Sequence, residues 1–352
     1  MKRLFFGIIF ILLIVAAPHT LQAKVTGRCD NCHTMHNSQG GQAMAYELSG
    51  GSFSSRDTPY NTLLITDCVG CHTALDGTTW KDSTTGAPIV YNTKEPSQYL
   101  AGGNFYWVAQ AGGDAKGHNV LGIAATDTTL SEAPGNVNLC GNSCHCSLAT
   151  TAYNSPGCCG CHLNPAHHAD DTGPIVGAAS PSTDGYYRFL SGHMSGDEHG
   201  VCGIEDNDWQ HTADLNDHNE YLGWEEHLEW PVGFYNMGHT MTAFCCGCHG
   251  NFHVEQDSSG NWLRHPSDAV IPNSGEYASA FGVSHFYDPT IPVARPILTA
   301  VTDTVAIGTD LVMCLSCHRP HGSPYYKMMR WDYKNWPGGG DDGCSTCHTS
   351  KN

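Results

Sequence analysis

Cys29-Asp30-Asn31-Cys32-His33 near the start of the chain and Cys344-Ser345-Thr346-Cys347-His348 near its end share one spacing: two cysteines three positions apart, with histidine directly after the second. The pattern occurs four more times, at Cys68/Cys71/His72, Cys158/Cys161/His162, Cys245/Cys248/His249 and Cys314/Cys317/His318. This spacing lets two thioether bonds reach the edge of one haem while the following histidine reaches the iron as proximal ligand. A zinc site, a thioredoxin-like dithiol or a disulfide framework also uses Cys-x-x-Cys, but none requires histidine next every time. The six copies therefore read as six covalent c-type haem attachments.

Cys140-Gly141-Asn142-Ser143-Cys144-His145 has three intervening residues instead of two but keeps cysteine and histidine adjacent. It is expected to hold a seventh haem; the alternative is a loop disulfide, for which Cys146 is at hand. The attachments start at 29, 68, 140, 158, 245, 314 and 344 without a fixed period, which argues against a solenoid and for one continuous unit. Of the 18 cysteines, Cys146, Cys159, Cys202 and Cys246 remain over, either as disulfide partners or as small buried residues.

Lys2 and Arg3, the apolar run from Leu4 to Ala17, and Leu21-Gln22-Ala23 read as an export signal peptide over residues 1–23, leaving a single multihaem unit over 24–352. The apolar run is too short to cross a bilayer core of about 30 Å, and no later segment is a better candidate, so no transmembrane segment is expected. Without Lys2 and Arg3, basic residues fall from 16 to 14 against 34 acidic ones, and the net charge moves from −18 to −20. Such acidity excludes nucleic acid as a natural partner. It suits a soluble protein outside the cytoplasm, with steering of a basic partner as the sharper alternative.

With 40 glycines and 18 prolines, and turn-forming stretches over 76–88 and 127–138, most of the chain should be irregular. Short helices are expected over 42–48, 97–110 and 220–230, and a β-rich run within 297–312. The fold class is thus mostly coil with a few short helices and minor β. A loop-rich chain has difficulty burying enough apolar surface to offset its conformational entropy, so haem macrocycles should form the core.

A filled sixth iron position makes an electron carrier, whereas an open one admits substrate. Of 22 histidines, seven follow motif cysteines and His19 lies in the leader, leaving 14, twice what seven distal positions need. His36, three after His33, and His321, three after His318, lie on the proximal side of their own haems and should ligate different ones. His253, four after His249, and the His167-His168 pair pose the same choice, with His168 the member taken as a ligand; His285 is a further candidate. His36 is also near enough to the mature N-terminus to be donated to a neighbouring molecule.

Several phrases then resemble the polymerising outer-surface multihaem cytochromes of the hexahaem outer-membrane cytochrome S type. They are Cys29-Asp-Asn-Cys-His-Thr-Met-His36-Asn-Ser-Gln-Gly-Gly, Lys116-Gly-His118-Asn-Val followed by Asp127-Thr-Thr-Leu and Ala133-Pro-Gly, Leu263-Arg-His265-Pro, Cys314-Leu-Ser-Cys-His-Arg-Pro-His321, and a last motif almost at the C-terminus. The resemblance implies stacked bis-histidine haems and a homopolymeric filament. His36 of one copy would bind the iron at Cys314/Cys317/His318 of the next, and His118, His265 and His321 would be distal ligands. This chain departs from the family between residues 140 and 168, where two attachments stand in place of one.

The leading expectation is a non-enzymatic extracellular conductor, loaded by envelope donor cytochromes and discharging to metal oxides, other cells or soluble acceptors. A monomeric shuttle in the periplasm or at the outer surface is the alternative. A multihaem reductase with an open haem is the third reading; no Cys-x-x-Cys-Lys variant is present to support it.

Overall fold

A computed structural model describes residues 27–35, 37–39, 42–130, 133–135, 147–151, 157–162, 167–168, 186–190, 200–224, 239–249, 265–335 and 343–350. The leader, His36, Cys140, Cys144, His145, Cys146 and His253 lie outside them.

Among the described residues the attachment motifs account for most of the helix. Cys68–Cys71 forms α1, Tyr106–Ala109 α2, Met241–Cys246 α3, Cys314–Cys317 α4 and Cys344–Cys347 α5, while Cys29–Asn31 and Gly157–Gly160 are single 3-10 turns. In all six Cys-x-x-Cys-His motifs the histidine N–H donates to the carbonyl of the first cysteine, at 2.8 to 3.0 Å. One helical turn places residues three apart on the same face, so the turn presents both sulfurs together. Asp67 caps α1 by accepting from Gly70 N, and Thr240 caps α3 by accepting from Ala243 N, satisfying amide groups that a one-turn helix leaves open.

The shared spacing does not give one shared element. Cys71, Cys317 and Cys347 each close a helix that their motif's first cysteine opens, but Cys248 falls outside α3, which ends at Cys246. The cause is the cap at Thr240, which starts α3 before the motif and leaves Cys245 in its last turn. Gly247 N–H donates to the carbonyls of Phe244 and Cys245 and closes the helix there. A further turn, from Cys248 N–H to the Cys245 carbonyl at 3.1 Å, then carries the half-buried Cys248 round.

The β structure is slight. Strands β1 (Ser38–Gln39), β2 (Gln42–Ala43), β3 (Tyr46–Ser49), β4 (Ser52–Ser55), β5 (Thr73–Ala74) and β6 (Tyr91–Asn92) pair as three two-stranded ribbons. Strands β7 (Gly203–Ile204), β8 (Glu220–Leu222), β9 (Ala269–Val270), β10 (Ala294–Arg295) and β11 (Leu311–Val312) form one sheet in the order β7-β8-β10-β11-β9, parallel only between β8 and β10. The chain is therefore mostly irregular, as its glycine and proline content led us to expect.

The local expectations fare less well. Residues 42–48 are not helical: Gly50 and Gly51 take positive φ (58° and 79°) and fold β3 against β4 as a hairpin, with Leu48 opposite Phe53. Over 97–110 only α2 is helical, because Gly103, at φ 90°, bridges Gly322 and any Cβ there would meet the Gly322 carbonyl at 2.0 Å. Within 220–230 the described start is strand β8, held between β7 and β10. The β-rich run over 297–312 shrinks to β11 and a bridge at Thr304.

Three larger apolar clusters each abut attachment cysteines. One, with Tyr187, Val201, Tyr221, Leu311 and Met313, packs on Cys161 and Cys245. A second, with Ile271, Phe281, Tyr287 and Trp331, packs on Cys317, Cys344 and Cys347. The third, with Leu48, Tyr91, Phe105 and Val108, packs on Cys158. Packing thus concentrates where the sulfurs are.

Candidate haem-binding site

Of the six proximal imidazoles among the described residues, five face a second imidazole. His33 faces His168 with ring centres 6.4 Å apart, His72 faces His167 at 6.4 Å, His162 faces His321 at 6.2 Å, His249 faces His118 at 6.0 Å and His348 faces His265 at 6.2 Å. Direct stacking of rings would be closer, as in His211 on Trp80 at 4.1 Å. Two metal–imidazole bonds of about 2.0–2.1 Å, plus roughly 1.1 Å from each nitrogen to its ring centre, put trans imidazoles roughly 6.3 Å apart. The pairs are spaced for one iron between each two rings.

Ring orientation agrees with this use. Nδ1 lies 2.8 to 3.0 Å from the carbonyl of Thr62 in His33, Pro88 in His72, Arg188 in His162, Pro134 in His249 and Lys327 in His318. On the opposing side, His118 Nδ1 lies 2.8 Å from the Pro320 carbonyl and His265 Nδ1 2.8 Å from that of Pro266. A carbonyl only accepts, so Nδ1 carries the proton and Nε2 keeps a lone pair for metal. In His348 the acceptor is the Glu276 carboxylate, at 3.2 Å.

Burial favours the neutral form of six of the histidines. It pushes His162, His249 and His318 down to about 4 and His321 to about 3, with neighbouring imidazoles adding to the effect, and it lowers His72 and His118 as well. Burial also pushes the Cys71 and Cys317 thiols up to about 12 and Cys161 and Cys347 to about 11, while contact with Cys158 raises Cys68 to about 11. Thiols held protonated are poor thiolate ligands and poor nucleophiles.

The six described motifs succeed one another in space in chain order. Cys71 feels the charge of Cys32, Cys68 contacts Cys158, Cys245 feels Cys161 and contacts Cys314, and Cys317 feels Cys344 and Cys347. The imidazoles follow suit: His162 senses His72, His249 senses His318, and His318 senses His265. Cys246, between Cys245 and Cys248, is buried, and burial followed by the charges of Cys314, Asp268 and Cys248 pushes its thiol well above the usual range.

Of the distal candidates, His118, His168, His265 and His321 stand in pairs. His321 faces His162 and not its sequence neighbour His318. His285, at φ 50°, has its Nδ1 2.7 Å from the Ala280 carbonyl but faces no other imidazole among the described residues, and His239, with Nδ1 2.7 Å from the Gly200 carbonyl, behaves likewise. His167 is the facing ring that sequence reasoning passes over; its signal is the His-His dipeptide itself, since both members find a partner. His318 is the one described proximal ring with no imidazole opposite it among the described residues.

A family model for the doubled CXXCH motif matches residues 307–352. Along nearly its whole length the chain is similar to C-type cytochrome OmcS of Geobacter sulfurreducens, 26% identical over 91% of this chain and 82% of that protein. Its fold is that of the Outer Membrane Cytochrome S Filament from the same organism, with a TM-score of 0.52 and 22% identity over 88% of this chain and 84% of that one. The resemblance read from the motifs thus extends to the fold. Among the described residues no helix is long and apolar enough to cross a membrane.

Proposed function

We propose that the chain is an exported multihaem c-type cytochrome that conducts electrons along a single file of bis-histidine haems and joins identical copies into an extracellular filament. The five imidazole pairs 6.0 to 6.4 Å apart carry this reading. Thioethers at the six Cys-x-x-Cys-His motifs attach six haems, and Cys140/Cys144 with His145 adds a seventh. At Cys245/Cys248 the second sulfur is carried by the turn beyond α3, and the first by the helix itself. The haem supplies the redox change, and no protein side chain need react. The residues fix each ring, exclude water from its Nε2 and hold successive stations close enough for hopping. His36 of a neighbouring copy would supply the ligand opposite His318, which would make that bond part of the filament joint. Envelope cytochromes load the row, and metal oxides, other cells or soluble acceptors empty it.

The side of His318 that meets no imidazole among the described residues favours a second reading in one respect, because a haem open on one face is what a reductase requires. Holoprotein spectra separate the two. A conductor is low-spin throughout when assembled and, with His36 intact, yields filaments by negative-stain microscopy. A monomer that stays partly high-spin and binds cyanide at one haem would instead make the chain a reductase, and a fully low-spin monomer would make it a shuttle.

A further inference from the structure

Four carboxyl groups are buried among the described residues: those of Asp206, Glu220, Asp268 and Asp310. Glu220 and Asp310 share the Arg295 guanidinium, and Asp206 accepts the backbone N–H groups of Asp208 and Gln210. Asp268 has neither a cation nor a backbone N–H among the described residues. Thr240 Oγ1 accepts from Ala243 N at 3.0 Å and donates to Asp268 Oδ2 at 2.8 Å, while the buried Oδ1 has no partner. A carboxylate buried in this state is costly, and protonation removes the cost.

The place decides what such a group can do. Thr242, fully buried in the first turn of α3, lies beside Asp268 and also meets the sulfur of Cys314, whose thiol donates to Thr242 Oγ1 across 3.9 Å. A thioether at Cys314 replaces that thiol hydrogen by carbon, which frees the Thr242 hydroxyl to turn its own proton toward Oδ1. One hydroxyl therefore separates the carboxyl from the haem edge at this attachment. The titratable groups that face Asp268 are two thiols, Cys246 from α3 and Cys314 from α4, and both feel its charge. Burial pushes the carboxyl up to about 7, so its proton exchanges near neutral pH.

We propose that Asp268 is a redox-linked proton site: it takes one proton from solvent as one electron enters at the Cys314/Cys317/His318 station, and releases that proton as the electron leaves. The inference rests on the haem-bearing reading above. An added electron lowers the positive charge beside the carboxylate, which then holds its proton more tightly, and by the same linkage the bound proton favours the reduced state. The electron comes from the preceding station and the proton from water, so charge passes this point of the row already neutralised.

The test uses the full-length holoprotein and compares wild type with Asp268→Asn and Thr242→Val. Asp268 has φ 51°, a left-handed conformation that asparagine adopts as readily, so the amide suits the turn. Intact mass gives the covalent haem load. Spectroelectrochemistry from about pH 5 to about pH 9 gives the midpoints across the range of a raised carboxyl, and redox-difference infrared spectra in light and heavy water give the band of a protonated carboxyl. In wild type one haem should move up to tenfold toward oxidised per pH unit at fixed potential, which is about 59 mV for a one-electron couple, and reduction should raise a deuterium-sensitive carboxyl band. In Asp268→Asn, at full load, that haem should hold its low-pH midpoint at every pH and the band should vanish.

Should Asp268→Asn fail to load, Thr242→Val decides. Without the hydroxyl that favours the ionised form, the pH window of that haem should move upward, and a window left in place would overturn the proposal. Full load in Asp268→Asn with the slope and band of wild type would overturn it too, leaving Asp268 as a brace for Thr240. A chain that takes up no haem would sink the haem reading instead.

Discussion

The attachment turns at Cys29–His33 and at Cys314–His318 are built alike, each closed by the same histidine-to-cysteine backbone bond and each with Nδ1 against a carbonyl. They differ in what stands across from the imidazole. His33 meets His168 from the same chain, whereas His318 meets no imidazole among the described residues. Local sequence thus makes a half-site, and whether it becomes a whole one depends on what a distant segment supplies. On the reading proposed above, the His318 half-site is where one molecule would be continued by another.

The largest test of this contrast removes both rings of the shared dipeptide. His167→Ala with His168→Ala should turn the haems at Cys29/Cys32 and Cys68/Cys71 high-spin and cyanide-binding while leaving covalent haem intact; an unchanged low-spin spectrum would dissolve the pairing. His321→Ala should affect one haem, that of His162, and destabilise the fold by about 1–3 kcal/mol as a half-buried ring is lost, measured by denaturant unfolding. His36→Ala should leave the isolated subunit's spectrum as it was and abolish filaments under the microscope. Persistent filaments would mean that another residue closes the open station.

A smaller effect lies beside that station. Asp268 is buried near Cys246 and Cys314, bonded to Thr240 Oγ1 at 2.8 Å, and burial pushes its carboxyl up to about 7. The native state therefore keeps a proton that the unfolded chain loses near pH 4. Stability should fall as pH rises from about 4 to 7, by at most about 1.4 kcal/mol per unit, and level off above. Asp268→Asn should flatten that slope in urea titrations; an unchanged slope would assign it to other groups. Smallest of all, His285→Ala should leave every haem low-spin, since that ring faces no other among the described residues.

The half-sites were legible because they are local: five residues fix the turn, the sulfurs and the proximal ring. What those five residues do not fix is the element that carries them, as Cys248 shows by standing beyond its helix while Cys71 and Cys317 end theirs. Completion of the half-sites was not legible, because the facing rings come from remote segments, His118 for His249 and His265 for His348, and no periodicity links them. His321 could be excluded from its neighbour's iron by proximity alone, yet nothing in the sequence named His162 as its mate. The helix expected over 42–48 failed for a related reason. Its apolar spacing suits either structure, and the two glycines that follow decide for a hairpin.

His167 and His168 have one further consequence. Adjacent α-carbons are 3.8 Å apart across a trans peptide, so rings on neighbouring residues tie the His72 and His33 stations to a single peptide unit. The two rings then separate only through rotation about their own side-chain torsions. On the reading proposed above, movement elsewhere in a loop-rich chain would then reach these two stations together, as one unit.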